Sequence, residues 1–468
     1  MKFARRQIPF RRLLVAVAFA CSSAFVFSQT EPAPLTFDAA RAQLMANAPS
    51  LKAAQARFAG KRDSADSLKG LNYPEVGLEL RYFTYENTIN SRQAGIDSLR
   101  LNGANVPLAA LGIGSYEARL SQTALQPLAN ASWVLYSGGQ ITAAKRAAGA
   151  VAEQAGAQVE IVRESLELEL ARLYFGQQLA ERVLALRKEL LAGMREHLDN
   201  AIKLEKGGLI TRGQRLQAQV AFDEARRGHD AANHALESAR IGLSALLRSD
   251  VRIAPTTPLF VIKKPVDALA PFVAGARARN PQVRAVESLQ RAAEAGVAAE
   301  RARWMPKVLA FGSYNFNRNS ETLVDTDWMA GIGVHWSLFD KIDRRKSYSA
   351  AKQTVAETAE SAEHMRLLAD TSARRAYDGL ANALRQFELL ESNLESAREN
   401  LRIQERSFVE GQGISTDVTN ARMALTNVLV ERAAAAYQFD MELASLLHAS
   451  GQMEQFSAYV GRADVIVP

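Results

Sequence analysis

One cysteine, Cys21, is the whole thiol inventory of the 468 residues, and it lies near the start of the chain. Met1–Ser28 reads as a secretory signal peptide. Lys2, Arg5, Arg6, Arg11 and Arg12 precede an apolar run from Leu13 to Phe27, with Val26 and Ser28 as the tolerated residues before a cut after Ser28. Lipoprotein processing at Cys21 is the alternative, although Phe19 stands where such signals prefer a small residue. A mature chain without Cys21 excludes disulfides and cysteine chemistry. Those five basic residues account for most of the formal charge of +7, so the remainder is close to neutral and basicity gives no argument for nucleic acid. After Phe27 no apolar run reaches the roughly 18–20 residues that a membrane helix requires, which leaves alternation as the only signal by which the chain could enter a membrane.

Proline is missing from two long windows, Gln140–Asp250 and Lys307–Val467, and both read as helix over most of their length. In the second, Leu380, Ala383, Phe387, Leu390, Leu394, Ala397, Leu401 and Phe408 step by three and four onto one face. Leu166, Leu170, Leu173, Leu184, Leu191, Met194 and Leu198 mark a less regular seam in the first. Charged residues fill the other faces, as in coiled-coil-like helices that pack on neighbours. A single helix from Gln140 to Lys206 is roughly 100 Å long at about 1.5 Å per residue, which no compact globular domain accommodates.

Two stretches alternate with period two. Trp328, Ala330, Ile332, Val334, Trp336 and Leu338 share one parity, against Met329, Gly331, Gly333, His335 and Ser337. Val76, Leu78, Leu80 and Tyr82 alternate in the same way with Glu75, Gly77, Glu79 and Arg81. A soluble sheet would bury the apolar parity on a core, whereas an outer-membrane barrel turns it to lipid and the charged parity to water. Strand pairs that interrupt very long helices favour the barrel.

The chain also repeats itself. Ala48-Pro49-Ser50-Leu51 returns as Asn280-Pro281-Gln282-Val283, and Tyr73-Pro74 as Met305-Pro306; Trp133–Tyr136 returns as Trp336–Phe339, and Gly208–Ala218 as Gly411–Ala421. The offset shortens between the first two matches and the last two. The inter-strand loop of the first half, about Asn87–Tyr116, is longer than that of the second, about Asn317–Asp327. Each half is helix, strand, loop, strand, long helix, tip turn, helix. The expected division is residues 1–28 signal, 29–252 first repeat, 253–271 a proline-rich linker or packed collar, 272–450 second repeat and 451–468 tail.

These features together resemble the TolC family of outer-membrane channel proteins. Leu35–Ala40 with Asn47-Ala48-Pro49 resembles its repeat start, Trp336–Asp340 its strand-to-helix exit, and Phe408–Gly411 with Asp417–Arg422 its tip motif. The resemblance implies a mainly α chain with a membrane β-barrel. Three copies each give four strands to one twelve-stranded barrel, and the helices form a coiled-coil α-barrel in the periplasm. Four strands cannot close a barrel alone, so exposed edges independently demand partner chains. The implied function is the exit duct of a tripartite export system, receiving substrate from an inner-membrane pump through a periplasmic adaptor. Its partners are then two further copies, that pump and adaptor, and outer-membrane lipid. Efflux of small molecules and type I protein secretion both fit, and a periplasmic coiled-coil protein without a pore is the reading outside transport.

The gate is expected at the helix tips. Gly207, Gly208, Gly411 and Gly413 permit tight turns between helices. The resemblance places an acidic residue six positions after the tip glycine, here Asp417, and three copies around an axis form a cation-binding ring. The other reading is that Asp417 only caps or solvates the returning helix. Around it the chain departs from the best-known members, with Asn420 at a second acidic position, Gly413 at the tip arginine, Phe408 at the aromatic hydroxyl and Gln214 as the first-half counterpart of Asp417. In place of the familiar links, Arg212 and Arg215 are the candidates to pair with Asp417 or Glu410.

No enzyme, cofactor or metal site is expected. The histidines, His197, His229, His234, His335, His364 and His448, are scattered, and His229 and His234 are off the helical spacing of three or four. Gly112-Ile113-Gly114 opens no helix, and neither a phosphate-binding loop nor a nucleophile elbow is present.

Overall fold

The computed structural model describes residues 33–90, 98–101, 104–112, 117–264, 267–317 and 327–467. The expected signal segment with Cys21, the Ile113-Gly114 pair and the middle of both inter-strand loops lie outside the described residues. In chain order the elements are β1 (Ala33–Leu35), α1 (Phe37–Asn47), α2 (Pro49–Ser67), β2 (Glu75–Asn90), β3 (Ser98–Leu101), β4 (Ala104–Pro107), β5 (Glu117–Tyr136), α3 (Gln140–Lys206) and α4 (Arg212–Leu247). The second half continues with β6 (Ile253–Pro255), β7 (Leu259–Val261), α5 (Leu269–Ala278), α6 (Pro281–Ala302), β8 (Lys307–Asn315), β9 (Trp328–His335), α7 (Arg344–Val409), α8 (Ser415–Ala449), α9 (Phe456–Val460) and β10 (Val465–Val467).

The duplicated prolines open duplicated helices. Pro49 and Pro281 sit in the first turn of α2 and α6, where a missing N–H costs no helical bond. The Asn280 side chain caps α6 by accepting from Gln282 N at 2.9 Å. The proline-free windows become α3, of 67 residues, and α7, of 66. Leu170, Met194 and Leu198 of the first seam are buried, as are Leu380, Ala383, Phe387, Leu394 and Phe408 of the second. Near the strands the helices pack in the order α2–α3–α6–α7; beyond the middle of α3 the order is α4–α3–α8–α7.

One antiparallel sheet runs β2–β5–β8–β9. Val76, Leu78, Leu80 and Tyr82 are all exposed, as are Trp328, Ile332 and Val334, so the apolar parity points away from any core. The sheet is open at β2 and β9. β2 and β5 outrun their neighbours: β8 meets β5 only from Leu128 onward, while the β2–β5 ribbon continues from Leu80 opposite Pro127 to Asn90 opposite Glu117. The expected loop from Asn87 therefore begins inside a strand and holds the β3–β4 hairpin. β9 ends at His335, before Trp336 and Leu338 complete the alternating pattern. The Trp336 indole donates to Trp304 O at 3.2 Å, Asp340 pairs with Arg303 at 2.9 Å, and Asp343 caps α7 by accepting from Arg345 N at 2.9 Å. These bonds turn the chain from the sheet into the helix. Trp133 repeats the device, donating to Asn72 O at 2.8 Å.

A collar surrounds the middle of α3. β1 pairs with β6 in parallel, and β7 with β10 antiparallel, so the first and last described strands close on the segment between the halves. Its core is aromatic: Phe37, Tyr174, Phe175, Phe260, Phe439 and Phe456 are almost fully buried, most of them edge-on or tilted to one another. The Tyr174 hydroxyl donates to Leu35 O at 2.7 Å and accepts from Thr256 N and Thr257 N at 3.0 and 2.9 Å, which fastens β1 and β6 to α3. Asp440 is fully buried beside Phe260, whose N–H it accepts at 3.4 Å, and desolvation pushes its carboxyl well above the ordinary range.

Candidate functional site at the helix tips

The helices α3 and α4 meet at one tip, α7 and α8 at the other. In the first turn Gly208 has φ +71° and Leu209 N donates back to Leu204 O at 2.9 Å; in the second Gly411 has φ +76° and Gln412 N donates to Ser407 O at 2.9 Å. Both backbones therefore enter the left-handed region that favours glycine. Gly207 and Gly413 play other parts. Gly207 ends α3 in ordinary helical conformation, at φ −80°, and a Cβ on Gly413 would stand 3.0 Å from Phe408 N.

The two returning helices start differently. Thr211 and Gln214 form a capping box on α4, with Thr211 N donating to the Gln214 amide oxygen at 2.8 Å and Gln214 N to Thr211 Oγ1 at 3.3 Å. In the second half Ile414 occupies the cap position and supplies no side-chain bond, and Asp417 stands three residues on, where Gln214 stands in the first. Its side chain is exposed and makes no hydrogen bond or ion pair with the described residues of its own chain. Asp417 is thus not consumed as a cap, although the helix N-terminus favours its charge. Asn420 is exposed one turn later.

The arginines go elsewhere within the protomer. Arg215 bridges its own turn to Glu205 at 2.8 Å, and Glu410 takes Arg406 one helical turn back at 2.9 Å. Arg212 is exposed at the start of α4. None of the four expected pairings of Arg212 or Arg215 with Asp417 or Glu410 forms inside one chain.

Other residues tie the two tips together. His197 Nε2 of α3 lies 2.7 Å from Ser415 Oγ of α8, both buried, and the Phe408 ring of α7 packs on the imidazole at a centroid distance of 4.9 Å. Burial, then the nearby Arg422 guanidinium, push the His197 pKa down. Arg422 of α8 pairs with Glu405 of α7 at 2.6 Å and lies against Gly193 of α3, where a side-chain carbon would overlap its guanidinium. Thr416 Oγ1 and Gln217 Oε1 close the tie at 3.1 Å between α8 and α4. His197 was dismissed above with the other histidines because its partner is 218 residues away; Gly193, one helical turn before it on a buried face, was the available signal.

Among the described residues no three or more His, Cys, Asp or Glu side chains stand close enough to hold a metal ion. No described helix is long and apolar enough to cross a membrane.

Residues 40–247 and 273–452 match the model of a family described as outer membrane efflux protein. Protein CyaE of Bordetella pertussis (strain Tohama I) is 28% identical over 263 residues, 54% of this chain and 55% of that protein, so the match spans about half of the relative's length. Among solved structures, CusC aligns with a TM-score of 0.74 at 17% identity, over 89% of this chain and 92% of the other. The open state of the MtrE outer membrane channel of Neisseria gonorrhoeae aligns with a TM-score of 0.70 at 18% identity, over 89% of each chain. These structural likenesses establish a shared fold of helical barrel and β-barrel.

Proposed function

The chain belongs to the outer membrane efflux protein family, and from that premise we propose that three copies assemble into one passive exit duct of a tripartite export system. The family's members are outer-membrane channels, not enzymes, with helices that extend into the periplasm. The observation that carries the proposal is the open sheet β2–β5–β8–β9 standing on a row of helices about 100 Å long. Four strands with apolar faces turned outward and both edges free are unstable in lipid, because every unpaired backbone group there costs several kcal/mol. Pairing β9 of one copy with β2 of the next, three times, removes all edges and makes twelve strands. The helical rows then continue the lumen into the periplasm, where an adaptor seated on the tips joins the duct to an inner-membrane pump.

Asp417 is the constriction residue in this reading. Its exposed carboxylate is free of partners among the described residues of its own chain, and three copies about the axis concentrate negative charge that attracts and retains cations. Asn420 and Gln214 line the same end without charge. Arg212, with Asp417 exposed on the other hairpin, is available to the neighbouring protomer.

Conductance of the purified protein in a planar bilayer tests both parts. Discrete steps from a trimeric particle, blocked from one side by millimolar trivalent cations, are expected. Insertion without block removes the Asp417 ring and keeps the duct. A folded trimer that never inserts overturns the duct and leaves a coiled-coil scaffold.

A further inference from the structure

A cavity of about 330 Å³ opens between α3, the start of α6 and the turn after α8. It lies outside the tip and outside the strands. α3 and α6 are the middle pair of the row α2–α3–α6–α7, so in a ring that closes at the outer members the cavity would lie within one protomer. Glu164 lines it from α3, only 7% exposed and without a hydrogen-bond or ion-pair partner among the described residues. Its neighbour Glu167 is 2% exposed but is already paired, with Arg41 at 3.0 Å, and Glu160 holds Arg163 at 2.5 Å. Glu164 alone is therefore an uncompensated buried acid, and an uncompensated charge is costly unless something binds it. Desolvation, opposed by Arg163 and reinforced by Glu167, Glu160 and Glu454, raises its pKa to about 7.

The opposite wall has the opposite sign. Arg279 and Arg284 line the cavity and are exposed, and neither has an ion pair among the described residues. The first turn of α6, beginning at Pro281, adds the positive end of a 22-residue helix. An acid at depth and two guanidiniums with a helix N-terminus nearer solvent form a site with two ends. Its volume is at the lower end of the range for small-ligand pockets and holds an amino acid or dipeptide.

We propose that this cavity is a binding site for a small zwitterion, an amino acid or short peptide that enters amine first, sets its ammonium on Glu164 and leaves its carboxylate on Arg279 and Arg284. The charge balance closes: one ammonium compensates Glu164, and one carboxylate compensates the single positive charge that Arg279 and Arg284 leave at the rim once the exposed Glu454 is counted. A simple anion leaves Glu164 unpaired, and a simple cation leaves the rim unpaired. The site touches neither the tip nor the sheet.

Calorimetric titration of glycyl-alanine into the purified trimer at about pH 7.5, between the Glu164 carboxyl at about 7 and a peptide amine near 8, tests the assignment. One site per chain is expected. N-acetylglycyl-alanine, which has no ammonium, should bind at least tenfold more weakly, and glycyl-alaninamide, which has no carboxylate, should also lose affinity. Glu164→Gln, close in shape and relieved of a buried charge, should abolish binding while single-channel conductance is unchanged; Arg284→Ala should remove the preference for the free carboxylate. Wild-type affinity should fall as the pH drops through about 7, where Glu164 takes up a proton. No heat at millimolar dipeptide, or equal binding by the wild type and Glu164→Gln, overturns the site and leaves the duct untouched.

Discussion

His197 and Ser415 stand 218 residues apart in sequence and 2.7 Å apart in space, joining the hairpin of the first repeat to that of the second at the level of the tips. The bond matters because each hairpin is otherwise a long lever. Leu198 and Ala201 pack on Ala218 within the first hairpin, while the second is covered by its own seam. Polar contacts at His197, Arg422 and Thr416 therefore set how the two levers lie against one another, and in the proposed trimer displacing one lever at the tip would change the width of the duct.

That tie is acid-sensitive. Burial favours neutral imidazole in the packed tip, so its pKa there lies below the ordinary value of about 6.5. At neutral pH both packed and loosened tips hold a neutral ring, and packing is at full strength. As the pH falls below about 6.5 the loosened tip gains a proton that the packed tip resists, so packing weakens until the lower pKa is passed. The charges facing the ring are Arg422 of α8, which opposes protonation, and Glu405 of α7, which is paired with that arginine; the Phe408 and Ser415 side chains are neutral. Conductance should rise between about pH 7 and pH 5 in the wild type. In His197→Gln, whose amide still reaches Ser415, that rise should be reduced. An identical pH profile in the variant would falsify the role of the imidazole.

Asp417→Asn preserves shape and removes charge. Exposed and without a partner among the described residues of its own chain, the residue contributes little to folding, so trimer yield and melting temperature should be unchanged while cation selectivity and trivalent-cation block fall. Reversal potential across a salt gradient reads the change directly, and an unaltered value transfers the constriction to another residue. Gln214→Ala gives the contrasting result. It breaks a capping box, costing about 1 kcal/mol at the start of α4, without touching selectivity.

Legibility from sequence followed the range of the interactions. Period-two patterns announced β2 and β9, and period-3.6 patterns the long helices, because each side chain reports its own environment: Leu78 and Val334 face outward, Phe387 and Leu394 inward; β5 and β8 were legible only through the repeat. Pro49 and Pro281 marked duplicated helix starts for the same local reason. The ties at the tip depend instead on the register between two hairpins, which no local pattern encodes. Arg215 had a carboxylate at hand in its own turn, so it took Glu205 and not Asp417. His197 looked solitary because Ser415 and Phe408 come from the other repeat.

The tip glycines should separate by conformation. Gly208→Ala and Gly411→Ala place a Cβ in the left-handed region, at φ +71° and +76°, and should each cost about 1–2 kcal/mol. Gly207→Ala meets ordinary helical geometry and a nearest contact of 3.6 Å, so it should be neutral or slightly stabilising. Limited proteolysis at the tips reads these differences locally: faster cleavage is expected for the first two variants and no change for the third.

Gly193→Ala should act on gating through Arg422. The glycine lies on α3 where the guanidinium of Arg422 crosses, and even one methyl group overlaps it. The arginine then has to leave its place between α3 and the Glu405 carboxylate of α7, with which it makes a 2.6 Å pair. The guanidinium is the end of a flexible side chain and swings aside first; Arg422 is only 21% exposed and its Nε is already without a partner, so its departure removes a contact that holds α8 against α3 and α7. The His197–Ser415 bond lies one helical turn further along α3 and should lengthen with it. Gly193→Ala is therefore expected to raise conductance at neutral pH and to flatten the acid response, and Gly193→Ala combined with Arg422→Ala should change neither any further. A double variant leakier than Gly193→Ala alone would show that the methyl group disturbs the helix itself, and that Arg422 does not transmit the effect.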